Sequence, residues 1–144
     1  MGVILQDSAE LAALVGAAKL SRYSSDDAEI AAAIADVEAE ALSYVRRRYE
    51  TELDDITPAT ATRILKSKTA DIVLFEVARQ TTDLVSEGVR QARDDAFTWL
   101  RGVADGRFVL DLATRPPADV SRPRILSAKT EADMVFGHGG LDEW

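Results

Sequence analysis

The chain contains no cysteine and a single histidine, and only 6% of its 144 residues are aromatic. Without cysteine there are no disulfides and no thiolate metal sites, and the redox compartment is left open. The one histidine, His138, is flanked by Gly137, Gly139 and Gly140. A lone imidazole cannot complete a triad or a zinc site. The glycines lack the preceding strand, the following helix and the lysine of a phosphate loop, so they read as a flexible stretch. Long hydrophobic runs are also missing. MGVILQDSAE has four apolar residues and then acids, too short and of the wrong charge for a signal peptide, and no run approaches a membrane span. The expectation is a protein made in a cytoplasm and kept there unless an assembly carries it out.

Basic charge is in short supply too. Seventeen Lys and Arg against twenty-five Asp and Glu leave a formal charge of −8. That balance argues against a sequence-specific DNA reader, which needs a basic face. It is compatible with an acidic wall along which DNA slides without sticking. The paired acids Asp26-Asp27, Asp54-Asp55 and Asp94-Asp95 are the raw material of metal or acid–base sites. Two of the pairs fall at a helix start or in a loop, where acids are expected anyway, and no third ligand accompanies them. No catalytic constellation, cofactor site or metal site emerges, and the enzyme reading is the weakest. Arg46, Arg47 and Arg48, with Lys66 and Lys68, read as a phosphate patch or, more simply, as a solvated helix end, and any job they have is pairing with acids on an adjacent subunit or a partner protein rather than binding DNA.

What the chain does have is helix periodicity. Hydrophobic content is 47% and rich in alanine, which suits closely packed helices and a modest core. Asp26 to Tyr49 has no Gly or Pro. Ile30, Ile34, Val37, Ala41, Tyr44 or Val45, and Arg48 or Tyr49 recur at steps of three and four, one stripe of a long helix. Glu29, Asp36, Glu38, Glu40 and Arg47 fall mostly off the stripe. Ser24 is the expected cap, with Asp27 as the capping-box acid.

Before it, Asp7 or Ser8 caps a short helix over about 9–18 that buries Leu11, Leu14 and Val15. Leu20 and Tyr23 fold back as a staple. After it, Thr57 and Pro58 announce a third helix over 59–81. Its inner face is Ile64, Leu65, Ile72, Phe75 and Ala78, and Val73, Leu74 and Val77 lie on other sides. A helix apolar on several sides is either central or touches a neighbouring subunit. Ser86 caps a fourth helix over 87–104, with Val89, Ala92, Ala96, Trp99 or Leu100, and Val103 inward, and Gly106 ends it. Residues 107–112 alternate as a short apolar strand or an extended cover. Beyond them prolines and glycines punctuate a tail without a core of its own. The fold expected is all-α: a four-helix bundle over 1–112 with a long central helix, a short apolar strand and an extended C-terminal arm over 113–144.

Several of these parts stand in a familiar order. They are Tyr44-Val45-Arg46-Arg47-Arg48-Tyr49, Thr57-Pro58, Leu100 to Gly106, and the run Arg107-Phe108-Val109-Leu110. The order resembles that of the Mu-like branch of tailed-phage head–tail joining proteins, over about residues 1–112. The resemblance implies a structural virion protein of the neck, made in the bacterial host cytoplasm. Such a protein forms a ring, commonly of twelve copies, between the portal and a tail-side stopper or tail-terminator protein. DNA passes through the ring without sequence-specific binding. The particle is a phage, a prophage remnant or a gene-transfer agent. The resemblance also implies that the arm anchors on the portal, with Val135, Phe136, Leu141 and Trp144 as its apolar contacts. The alternatives for Trp144 are folding back on its own bundle or staying disordered. The competing functional reading is a small helical interaction or regulatory module whose tail is the recognition peptide.

Overall fold

A computed structural model describes residues 4–49 and 56–112. Five helices follow one another: α1 (Ser8–Val15), α2 (Ala17–Leu20), α3 (Asp27–Val45), α4 (Arg63–Thr81) and α5 (Glu87–Ala104). Among the described residues there is no strand, so the domain is all-α.

Each boundary has a local cause. Asp7 caps α1 by accepting the Glu10 N–H at 2.8 Å, and the Glu10 carboxylate answers by accepting the Gln6 N–H at 2.6 Å. The single first helix expected over 9–18 is split at Gly16, whose φ of +96° a side chain would resist. At α3 the cap is Asp26, which accepts from the Ala28 N–H at 2.8 Å. Ser24, the expected cap, sits two residues back and accepts the Asp26 N–H while donating to Glu29. The helix is also shorter than expected. It stops at Val45, where Arg47 and Arg48 bond back three residues in a tightened turn that carries the chain to Tyr49.

The start of α4 is the largest correction. Thr57 and Pro58 do not open it. The Thr57 N–H donates to the Thr60 hydroxyl at 2.9 Å, closing a separate turn over 57–61. Thr62 is extended and caps the helix through the Leu65 N–H. By contrast α5 spans 87–104 as expected, although the side chain of Ser86, at its N-cap position, makes no capping hydrogen bond. Gly106, at φ +80°, makes the Schellman closure, with the Arg107 N–H on the Gly102 carbonyl and the Gly106 N–H on that of Val103.

The core is centred on α4, which packs against α1, α3 and α5. Its buried residues, Leu65, Thr69, Ala70, Ile72, Val73, Leu74, Val77 and Ala78, lie on several sides of the helix, which explains its lack of one apolar face. Ile64, expected inside, is 57% exposed. On α3, Ile30, Ile34, Val37, Ala41 and Val45 are buried as the stripe predicts, as is Tyr49 after the helix, and so is Glu38, placed off the stripe. On α5, Leu100 is buried and Trp99 only partly.

Residues 107–112 cover the end of the core without pairing as a strand. Leu110 is buried and Val109 exposed. Phe108 stacks on Trp99 at 6.3 Å and lies over Gly102, where a Cβ would fall 2.5 Å from the ring. Glycine is therefore what lets the cover lie down.

Candidate functional site

The C-terminal ends of α3 and α5 meet. Tyr49 is fully buried, and its hydroxyl accepts the Leu110 N–H at 2.7 Å. Beside it the Arg48 guanidinium rests on Gly106, where a Cβ would fall 2.1 Å from Nη1. Arg48 Nε is buried without a hydrogen-bond partner. The tyrosine–arginine end of α3 thus fastens the run that follows α5, joining segments of sequence 61 residues apart.

A second fastening lies at the other extremity of the sequence. Glu38 is 3% exposed, and one of its carboxylate oxygens accepts the N–H groups of both Ile4 and Leu5 at 2.7 Å. Ile4 and Leu5 are fully buried, so the apolar arm before α1 is part of the core. A cleft of about 400 Å³ opens beside this junction, with Asp7, Ser8, Asp27 and Glu38 among its walls. Its polar groups already bond one another: Ser8 donates to Asp27 at 2.8 Å, and Asp7 is the cap of α1.

The five cations read as inter-subunit contacts serve different ends. Arg47 is exposed and lies over the Tyr44 ring at 5.2 Å. Arg46 and Arg48 are half-buried, the latter on Gly106. Lys66 bridges within the chain to Glu10, tying α4 to α1. Partial burial pushes the Glu10 carboxyl up, but hydrogen bonds from Lys66 and the Gln6 N–H, with the Lys66 charge, outweigh it and hold the group below its usual range. Lys68 is half-buried near Asp71, whose carboxyl is pushed up by burial against the pull of Lys68 and Lys19.

Of the acid pairs, Asp26 caps α3 and Asp27 takes Ser8, while Asp94 pairs with Arg93 and Asp95 accepts from Gln91. Asp54-Asp55 lie outside the described residues, as do His138 and the proposed anchors Val135, Phe136, Leu141 and Trp144. Among the described residues no group of three or more His, Cys, Asp or Glu is placed to hold a metal, and no helix is long and apolar enough to cross a membrane.

One cluster had no sequence signal. Arg93 lies over both Phe75, at 4.8 Å, and Phe97, at 4.9 Å. Phe97 in turn meets the Tyr44 ring edge-on at 6.2 Å. An arginine in the polar run Arg90 to Asp95 looks like any solvated side chain until α4 and α5 are packed together.

Residues 5–126 match a family profile described as Bacteriophage Mu, Gp36. That covers most of the chain and places it among phage structural or morphogenesis proteins. The chain belongs to the bacteriophage Mu Gp36 family. The match runs past the expected limit near 112 and takes the first part of the tail, to Leu126, into the family. Comparison with curated proteins and with solved structures gives no match.

Proposed function

We propose that this protein is a head–tail adaptor: a structural virion protein that joins the portal to the tail as a ring and extends the DNA channel. The observation that carries this reading is the family match over 5–126. Three of the parts whose order resembles the joining proteins support it, because they meet in one place: Tyr49 and Arg48 after α3 close on Gly106 to Leu110. The ring is built from the sides of the helices, with Arg46 and Arg47 facing acids on the next copy, and it holds about a dozen copies. The formal charge of −8 suits a channel or rim that does not hold DNA. The C-terminal arm anchors on the portal, and a stopper or terminator docks on the opposite side.

The test is the mass of the full chain, alone and mixed with the portal protein of the same genome, by native mass spectrometry or light scattering. A species that becomes a ring of about a dozen copies on the portal is the expected result. A chain that ignores the portal and binds some other protein would overturn the adaptor reading in favour of an interaction module.

A further inference from the structure

Two open surfaces at opposite ends of α3 complement each other. The first is the run after α5. Phe108 is 47% exposed and Val109 76%, two of the few large apolar side chains that the described residues leave in solvent. Arg101 and Arg107, on the same end of the molecule, are exposed. Arg107 pairs only with Asp105, at 3.2 Å, and both side chains stand mostly in water, where such a pair holds little. Arg48 rests on Gly106, so the arginine-bearing turn after α3 stands against this run. An apolar pair rimmed by arginines thus projects from a protein whose formal charge is −8.

The second surface is the cleft beside the arm that precedes α1. Ala31, Ile34 and Ala35 give it an apolar lining, and Asp7 and Asp27 stand at its sides. Neither acid has an ion pair among the described residues. No Lys or Arg lines the cleft, and the chain from Asp26 to Val45 carries acids and no base. Its volume of about 400 Å³ lies in the range of sites that hold small ligands.

The run cannot fill the cleft of its own chain. Leu110 is tied to Tyr49, and Phe108 lies on Gly102 and Trp99, beyond the far end of α3. From Ala31 to Val45 that helix rises roughly 20 Å. A second copy can bring the run to the cleft. Because the two surfaces differ, the contact is heterologous and leaves one free cleft and one free run at its ends.

We infer that Val109, with Phe108 and Arg107, of one copy docks in the Asp7–Asp27 cleft of the next, Val109 against the apolar lining and Arg107 against the acids. The inference deepens the adaptor reading, and rests on it for the ring, by naming the surfaces through which copies join. The contact is smaller than a standard interface, so it is weak between two free copies and gains when a ring closes or a platform gathers them.

The test is sedimentation equilibrium of the full chain from about 10 µM to about 1 mM, the range that a weak contact requires. The average mass of the wild type should rise past that of a dimer and fall back with added salt. The Arg107→Glu/Val109→Asp variant removes the run and spares Phe108, which covers Gly102. The Ala31→Arg/Ala35→Arg variant blocks the cleft at two exposed helix positions, where arginine is well tolerated. Each variant alone should stay monomeric. Mixed in equal amounts they should form a dimer and nothing larger, because one keeps its cleft and the other its run; the same dimer shows that both are folded. A monomeric wild type, one that stops at a dimer, association of either variant alone, or a mixture without dimer would overturn the inference. Portal binding is measured separately. A monomeric wild type that still forms a ring on the portal would sink this contact and keep the adaptor, and head-to-tail association without portal binding would do the reverse.

Discussion

Replacing Tyr49 by phenylalanine isolates one interaction. The ring keeps its place among fully buried neighbours, so no cavity opens and the transfer term hardly changes. What is removed is the acceptor for the Leu110 N–H, 2.7 Å away in a buried setting. A buried donor left without a partner costs about 1–3 kcal/mol, more than the net worth of an ordinary hydrogen bond. For a domain of about a hundred residues, each kcal/mol lowers the Tm by roughly 4–8 °C. Urea unfolding followed by far-ultraviolet circular dichroism should therefore show a lower midpoint with an unchanged slope. Tyr44→Phe serves as the control, because its hydroxyl makes no hydrogen bond within the described residues. A loss for Tyr49→Phe below about 0.5 kcal/mol, or one equal to that of Tyr44→Phe, would mean that the cover finds another acceptor or that water reaches Leu110.

Two further outcomes follow from the other fastenings. Glu38→Ala strands two buried donors, those of Ile4 and Leu5. It should cost about 2–5 kcal/mol, with Glu38→Gln milder because an amide oxygen can still accept; equal urea midpoints for Glu38→Ala and wild type would refute the latch. The Glu10 carboxyl is held low in the folded state, so the stability it adds is present above its ordinary pKa and is lost as pH falls through the folded value. In Lys66→Met the acid limb of the Tm–pH curve should be shallower below about pH 4, and identical limbs in both proteins would sink this account.

How legible the sequence was depended on where each signal lived. The C-terminal end of α5 could be read because Gly106 acts within one turn of the residues it terminates. The inner stripe of α3 could be read because it repeats every turn. The start of α4 was misplaced because Thr57-Pro58 and Thr62 are both competent starts, and the hydrogen bond from the Thr57 N–H to Thr60 decides between them. Glu38 was read as a surface acid because nothing on its own helix reveals that two N–H groups 33 and 34 residues away converge on it. Arg93 and Phe97 escaped notice for the same reason, since a stack shared by three helices is not signalled by the period of any one of them. The strand expected at 107–112 has the alternation of one, but the side it presents to the core meets helix ends and not a partner edge.

The hydrogen bond between Tyr49 and Leu110 also bears on the order of events during synthesis. The α4–α5 hairpin is local and can form as soon as both helices have emerged. The end of α3 cannot be closed until Leu110 has left the ribosome, 61 residues after its partner. Nascent chains halted before that point should keep the Tyr49 ring open to solvent, and chains released after it should bury the ring last.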